Sequence, residues 1–263
     1  MSSSPSPARE DAKASSEETL LARTELKPGI LHAVQSLLYI IVVASFILAF
    51  TLQPFRIPSE SMEPTLLVGD FLLVSKLTLG FDNLGGILPP SSLHRGQIVV
   101  FHYPLETATH LIKRIIGVPG DHLRLRNNHV YINNRQLAEP YAVYRPSPPD
   151  LFRDDFPRLQ SADPSIDSTW WIAMHRLIED GDLIVPEGQY FVLGDNRNDS
   201  EDSRYWGFVP RADIVGTPLL IYFSLNQPKD DSEAALPESA RRPTLAESVL
   251  SIARWHRTFR LIH

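Results

Sequence analysis

Two serines lie in residues 58–66 (PSESMEPTL), where prolines fix the backbone on either side. The proline ring locks the φ angle, so this part of the chain is stiff. If the chain from Ser59 to Ser61 is extended, both hydroxyls project to the same side. A hydroxyl on a rigid backbone can act as a nucleophile when a base takes its proton. By itself a serine between prolines is more often just a turn or a strand end, so the chemistry requires a partner.

A candidate for that base lies in residues 110–121 (HLIKRIIGVPGD), which have the pattern of a strand. A guanidinium stays protonated in proteins, whereas a desolvated amine loses its proton and can then accept one. Lys113 is therefore the candidate base, rather than its neighbour Arg114. Lowering the pKa of a lysine from about 10.4 to the useful 7–8 range costs roughly 3–5 kcal/mol. The alternative is an ordinary strand lysine whose ammonium group reaches solvent.

A third polar segment, residues 194–207 (GDNRNDSEDSRYWG), follows a predicted strand. Its density of Asp, Asn, Ser and Gly favours a loop with many local hydrogen bonds from side chains to the backbone. Asp202, Arg197 and Arg204 can form charge-assisted pairs there. The segment predicts a stiff polar loop, or a surface turn without function if it stands alone.

The elements that must position these residues are mainly β strands. Short runs rich in Val, Ile, Leu and Phe are bounded by Gly, Pro, Asn or Asp, which is typical of strands. The runs cover residues 71–75, 97–102, 111–118, 129–132, 183–185, 190–193 and 218–223. Residues 141–182 are rich in Pro and Asp and interrupt the spacing, so we interpret them as an insertion or a long excursion.

An apolar segment near the N-terminus predicts a membrane anchor. Residues 28–55 contain no Asp, Glu, Lys or Arg, and residues 33–52 would form a helix of roughly 30 Å, the thickness of the hydrocarbon core. A cleavable signal peptide would have a shorter apolar region followed by a small-residue cleavage site. We predict a disordered cytoplasmic tail over residues 1–28 and an uncleaved transmembrane helix over residues 29–53.

The orientation of that anchor follows from the charges around it. The basic residues Lys13, Arg23 and Lys27 precede the segment, while Arg56 is the only basic residue among the first twenty beyond it. The positive-inside rule then predicts a cytoplasmic N-terminus, with the rest of the chain on the outer side of the membrane.

The C-terminal residues 226–263 are predicted to be a linker followed by an amphipathic segment. Apolar residues recur every three or four positions, and the basic residues lie on other faces of the same helix. This pattern predicts a basic helix on a membrane surface, or else a helix packed on the domain or a frayed tail. The apolar set is Val249, Ile252, Trp255, Phe259 and Ile262, and the basic set is Arg254, Arg257 and Arg260.

Composition excludes several classes of function. The formal charge of -6 gives no general attraction to nucleic acid. The absence of cysteine excludes disulfides, a thiol nucleophile and thiolate metal sites, but fits either redox compartment. No H-E-x-x-H spacing, G-x-S-x-G motif or phosphate-binding loop occurs, so we expect no metal and no cofactor.

Together the three polar segments resemble the type I signal peptidase family in their order and in their spacing from the anchor. The family pattern P-S-x-S-M-x-P-T-L matches residues 58–66, K-R-x-x-G-x-P-G-D matches residues 113–121, and G-D-N-R-x-x-S-x-D-S-R-x-x-G matches residues 194–207. The family strand R-G-D-I-V-V-F appears at residues 95–101, with Gln97 where an acidic residue is common. The resemblance covers roughly residues 35–225.

The resemblance implies a mainly β fold, a signal-peptidase-type β-barrel or coiled-sheet catalytic domain over residues 54–225. It also implies an inserted smaller β region at about residues 123–183 and one N-terminal transmembrane helix before the domain. Residues outside the motifs carry less of the resemblance.

The resemblance also implies a mechanism. Ser61 would be the nucleophile and neutral Lys113 the general base of a serine endopeptidase. The backbone N–H of Ser61 and the hydroxyl of Ser59 would form the oxyanion hole. Ser200 matches the family serine that orients the lysine.

Further residues take roles by the same resemblance. Asp202 and Arg204 match a supporting ion pair of the family. The residues expected to line shallow apolar pockets for the substrate are Ile57, Met62 and Leu111.

The implied substrates are signal peptides of exported preproteins, cut after small residues in Ala-X-Ala-like sites. The implied location is the inner (plasma) membrane, with a single span, a cytoplasmic N-terminus and an extracytoplasmic catalytic domain. We expect contact with the lipid bilayer, no nucleic-acid partner and a monomer.

Three alternatives remain open from the sequence. A self-cleaving repressor-type protease would share the Ser and Lys pair but lacks an anchor and the G-D-N-R loop. A membrane-tethered β domain could keep the fold for binding alone, although Ser61 and Lys113 are both present. A Ser-His-Asp hydrolase would use His102 or His110 with Asp195, without the usual nucleophile elbow.

Overall fold

The computed structural model describes residues 28–76, 92–158, 164–226 and 253–262, so the predicted tail lies almost wholly outside the described residues. The chain divides into two compact units, Met1–Phe50 and Thr51–His263. The described part of the first unit, residues 28–50, belongs to helix α1 (Pro28–Thr51). Within it, Gly29–Phe46 has a mean hydropathy of 1.9, so the helix is long and apolar enough to cross a membrane.

Helix α1 ends slightly earlier than the sequence predicts. The predicted anchor runs to residue 53, but Leu52 and Gln53 are the first residues of strand β1 and pair with Ser75 and Val74 of strand β2. The chain after Thr51 therefore continues as a strand of a sheet rather than as the helix.

The second unit is built from antiparallel strands, which confirms the predicted mainly β fold. In chain order the strands are β1 (Leu52–Arg56), β2 (Asp70–Ser75), β3 (Ile98–Tyr103), β4 (Glu106–Gly117), β5 (His122–Arg126), β6 (His129–Ile132), β7 (Arg135–Gln136), β8 (Ile178–Glu179), β9 (Asp182–Ile184), β10 (Gln189–Leu193), β11 (Val209–Pro210), β12 (Ile214–Ser224) and β13 (Arg260–Leu261). Short helices α2 (Leu151–Asp154), α3 (Ser168–Met174) and α4 (Ser203–Trp206) lie between them.

The larger sheet has the strand order β1-β2-β12-β3-β4-β10-β11, and β13 pairs with β12. Its central strands are apolar on both faces, because each face is covered by a separate hydrophobic core. In β3, Ile98 and Val100 pack into one core, while Val99 and Phe101 pack into the other. Successive residues of a strand project to opposite sides, which explains an uninterrupted apolar run.

The smaller sheet has the strand order β7-β6-β5-β9-β8 and forms from residues 122–184, close to the inserted region that the resemblance implied. Its hairpins turn at Asn127-Asn128 and Asn133-Asn134, and all four residues have positive φ. Asparagine tolerates this left-handed conformation, which two-residue hairpin turns require. The predicted excursion over residues 141–182 contains α2, α3 and β8. Residues 159–163 within it lie outside the described residues.

Each of the seven runs predicted to be a strand contains a strand. For most of the runs, the ends of the strand differ from the predicted ends by a few residues. The sequence did not predict the very short strands β7, β8, β11 and β13, or β1 and β5. A strand of two residues is too short to show an alternating pattern, so no periodicity could reveal it.

The helix predicted for the C-terminal segment is wrong for the described residues 253–262. They form a 3-10 turn (Trp255–Arg257) and strand β13. Arg257 is buried and donates to the Asp70 carboxylate at 2.6 Å, so it faces the domain interior rather than a lipid surface. Next to Asp70, Gly69 allows the backbone of Leu225 to pass closely, because a Cβ at position 69 would lie 2.4 Å from the carbonyl oxygen of Leu225.

Candidate active site

The serine motif forms a tight turn at the end of β1. Ser59 has extended backbone angles, but Glu60–Met62 is a 3-10 turn, so the chain through Ser61 is not extended. The amide of Asn196 donates to the carbonyl oxygen of Ser61 at 3.0 Å and ties the turn to the loop after β10. Met62 is buried in the core beside it. The Ser61 hydroxyl is thus placed by local sequence and by a contact distant in sequence.

Strand β4 brings Lys113 to that hydroxyl. The Nζ atom of Lys113 lies 2.8 Å from Oγ of Ser61, within hydrogen-bonding distance, and Lys113 is only 4% exposed. Burial lowers the pKa of Lys113 from 10.5 to about 8, while the carboxylate of Asp202 opposes that shift and the Arg204 guanidinium adds to it. Among the described residues no carboxylate forms an ion pair with Lys113. Near neutral pH this amine can therefore lose its proton readily.

The polar loop after β10 supports the pair from behind. Asp202 and Arg204 form a buried ion pair with an Nε–Oδ1 distance of 2.8 Å, and the amide of Gly194 donates to Asp202 at 3.1 Å. A Cβ on Gly194 would lie 2.3 Å from Ser200 Oγ and 2.5 Å from the carbonyl oxygen of Ser61. Only glycine fits where this loop passes the serine turn.

Two predicted residues meet the pair less directly. Ser59 Oγ lies 3.4 Å from Ser61 Oγ, and Ser59 is exposed, so its hydroxyl points to the same region as the nucleophile candidate. Ser200 is buried, but its hydroxyl makes no hydrogen bond with Lys113 or with any other described residue. Its role in orienting the lysine stays a prediction.

A small cavity of about 90 Å³ opens beside Ser61 and Lys113. All three residues predicted to line a substrate pocket are in its wall, namely Ile57, Met62 and Leu111. A wider cleft of about 500 Å³ also reaches Ser61 and Lys113. The arrangement is a hydroxyl and a buried amine between a small pocket with a largely apolar wall and an open cleft.

Comparison with known proteins establishes the family. The sequence profile described as "Signal peptidase, peptidase S26" matches residues 30–223. Signal peptidase I of Pseudomonas aeruginosa is 31% identical over 229 residues, covering 81% of this chain and 79% of the relative. The chain belongs to the signal peptidase family, peptidase S26. It is therefore a serine peptidase, a hydrolase.

Other members of the family match to a similar extent. Signal peptidase I of Aquifex aeolicus is 35% identical over 240 residues, covering 78% of this chain and 89% of the relative. A crystal structure of a signal peptidase I from Enterococcus faecalis V583 is 35% identical, covers 48% of this chain and 96% of that chain, and has a TM-score of 0.35.

Some residues of this site were not assigned a role from the sequence. Arg114 donates to both carboxylate oxygens of Asp195, at 2.8 and 2.7 Å, and both residues are buried. Thr65, in the serine motif, donates to the same carboxylate at 2.5 Å. The signal was available, because all three positions lie in the motifs that the signal peptidase family shares.

The histidine alternative lacks its geometry. Asp195 bonds to Arg114 and Thr65, whereas Nδ1 of His102 lies 2.9 Å from the carbonyl oxygen of Thr107. The ring of His110 packs against that of His102 with 4.4 Å between centroids and an angle of 44° between the ring planes. Within the described ranges, no group of three or more His, Asp or Glu residues could bind a metal ion.

Proposed function

We propose that this protein removes N-terminal signal peptides from exported preproteins, with Ser61 as the nucleophile and Lys113 as the general base. The observation that carries the proposal is the 2.8 Å contact between the Ser61 hydroxyl and a buried amine whose pKa is lowered to about 8. Family membership and the name of the relatives, signal peptidase I, support the substrate class.

Acylation begins when Oγ of Ser61 attacks the scissile carbonyl carbon and its proton passes to the neutral Nζ of Lys113. The tetrahedral intermediate then collapses with cleavage of the C–N bond. The proton on Lys113 is transferred to the departing amine, which leaves as the new N-terminus of the exported protein. An ester between Ser61 and the signal peptide remains.

Deacylation repeats these transfers with water. Lys113, neutral again, takes a proton from a water molecule that attacks the ester, and returns it to Oγ of Ser61 as the ester C–O bond breaks. The signal peptide leaves as a carboxylic acid, which then loses its proton to solvent. The negative oxygen of each intermediate would accept hydrogen bonds from the Ser61 amide and the exposed Ser59 hydroxyl. A single donor of this kind contributes roughly 3–4 kcal/mol in serine proteases.

The pocket favours small side chains next to the scissile bond. Its volume is about 90 Å³, and the side chains of Ile57, Met62 and Leu111 are part of its wall. Such a pocket accepts alanine and excludes a large residue, since burying a bulky group there would require the buried core to move. We infer a preference for alanine at the first and third positions before the cut.

Anchoring through α1 would deliver exported substrates to the site. The helix is long and apolar enough to span a bilayer. Lys13, Arg23 and Lys27 precede it, which by the positive-inside rule gives a cytoplasmic N-terminus and an extracytoplasmic catalytic domain.

The direct test uses the full-length protein in detergent micelles with a peptide that has alanine at the first and third positions before the cut. Ser61→Ala and Lys113→Ala should each remove cleavage, detected by mass spectrometry. The rate should rise with pH through an apparent pKa of about 8, because the base must be neutral. His110→Ala should keep the activity. An inactive His110→Ala variant together with an active Lys113→Ala variant would sink the proposal.

A further inference from the structure

A segment of the inserted region returns to the serine turn. Residues 139–147, the strap, run along the loop that follows β10. Val143 pairs with Asn196 in a parallel bridge, with N–O distances of 2.8 and 2.9 Å to the residues on either side. The side chain of Asn198 donates to the carbonyl oxygen of Arg145 at 2.7 Å. These bonds fix the backbone of the strap beside the site.

Arg145 extends from this strap across the turn that contains Ser61. Its Nη1 donates to the carboxylate of Glu60 at 2.6 Å, and its Nη2 contacts the carboxylate of Glu63. Glu60 is the first residue of the 3-10 turn and Glu63 follows its last residue. One guanidinium therefore joins both ends of the three-residue turn whose middle residue is Ser61.

The guanidinium adds to the backbone bonds that hold this turn, from the Glu63 amide to the Glu60 carbonyl oxygen and from the Asn196 amide to the Ser61 carbonyl oxygen, both at 3.0 Å. A single 3-10 turn has poorer hydrogen-bond geometry than an α helix. A planar guanidinium that bonds two carboxylates fixes their separation, which a flexible ammonium does not. Misplacing a reacting atom by about 1 Å can reduce a rate about 10²-fold, so a rigid turn matters for the contact between Ser61 and Lys113.

The exposure of these groups separates positioning from stability. The side chain of Arg145 is 40% exposed, that of Glu60 is 32% exposed and that of Glu63 is 14% exposed. An ion pair whose guanidinium is this exposed contributes little to folding, because water and salt screen it. An effect of Arg145 on catalysis should therefore appear without a matching loss of stability.

We propose that Arg145 is a positioning residue, which fixes the Ser61 turn through Glu60 and Glu63 and so ties the inserted region to turnover. The inference rests on the proposed function, in which Ser61 is the nucleophile. Arg145 does not touch the reacting atoms and acts only through the two carboxylates.

The test compares Arg145→Met with Arg124→Met in the full-length protein in detergent micelles. Arg124 pairs with Asp182 in the smaller sheet and is also partly exposed, so it is a matched control. For the alanine-containing peptide, Arg145→Met should lower kcat about tenfold to a hundredfold with KM changed less than about twofold. Arg124→Met should leave kcat unchanged, and the melting temperatures of the two variants should agree within a few degrees.

Two further variants keep the test decisive if Arg145→Met folds poorly. Arg145→Lys should recover part of kcat, because an ammonium can pair with one carboxylate at a time. Glu63→Gln removes the negative charge of one of the two partners and should lower kcat less than Arg145→Met, with no additional loss when the two changes are combined.

The outcomes separate this inference from the proposed function. Cleavage that persists in Ser61→Ala would refute the proposed function. If Ser61→Ala is inactive but Arg145→Met keeps the kcat of Arg124→Met, only the positioning role is refuted. Equal losses of kcat and stability in both arginine variants would also overturn it, since they would indicate a general structural effect.

Discussion

Lys113 and Arg114 are adjacent on β4 and equally buried, yet the two faces of the strand surround them differently. Arg114 meets a carboxylate, Asp195, that accepts two hydrogen bonds from its guanidinium. Lys113 meets a hydroxyl and has no ion-pair partner among the described residues. A buried cation that is paired keeps its charge, whereas one that is only desolvated tends to lose it. In the proposed mechanism, one strand thus contains a structural cation and a proton acceptor side by side.

The largest expected effect is the loss of kcat when both faces of β4 have an arginine. Lys113→Arg should lower kcat at least about 10³-fold, because a guanidinium stays protonated and cannot accept the serine proton. The measurement is steady-state cleavage of the alanine-containing peptide between pH 7 and 9. As a control, Arg114→Lys keeps a cation beside Asp195 and should still turn over. A Lys113→Arg variant within tenfold of the unaltered protein would contradict the comparison.

The next effect concerns the paired face. Asp195→Asn removes the negative charge and leaves the buried Arg114 guanidinium without its carboxylate partner, which should lower the free energy of unfolding by about 3–5 kcal/mol. Urea unfolding measures the loss. Asp182→Asn is the control, because its partner Arg124 is 25% exposed and can regain water, so the loss should be only about 1 kcal/mol. Equal losses for the two variants would show that burial is not the cause.

The smallest effect is a pH-dependent stability on the unpaired face. The pKa of Lys113 is about 8 in the folded protein and 10.5 by the ordinary value. Below pH 8 the amine is protonated in both states, and its buried charge destabilises the fold. Between pH 8 and 10.5 the unfolded chain binds more protons, so stability rises with pH, and above 10.5 the penalty is gone.

Lys113→Met has no such charge. The free energy of unfolding of this variant, relative to that of the unaltered protein, should therefore be about 3 kcal/mol greater at pH 7 than near pH 10.5. Urea midpoints at the two pH values give this change, and any constant packing effect of methionine cancels. A difference in stability that does not vary with pH would mean that Lys113 is not desolvated.

The sequence predicts the parts of the site that depend on local pattern. Ser61 and Lys113 lie in segments where prolines and strand alternation already restrict the backbone, so their candidacy follows from short stretches. Arg145 illustrates the limit, because a single arginine in a Pro-rich segment has no periodicity that points to Glu60, 85 residues earlier. Arg257 has the spacing of a lipid-facing residue and is buried instead, since helical spacing alone does not show which partner a cation finds.

The pairing of Arg257 with Asp70 has a practical consequence for shortened forms of the protein. The Asp70 carboxylate is fully buried, and it also accepts a hydrogen bond from Ser224 at 2.6 Å. A version that stops before residue 253 would lack Arg257 and leave the Asp70 carboxylate buried without its cation. Asp70 is the first residue of β2, which pairs with β1 on the other side of the serine turn. Truncation at this end should therefore be as harmful as an interior substitution, and an affinity tag is better attached beyond residue 262 than used to replace those residues.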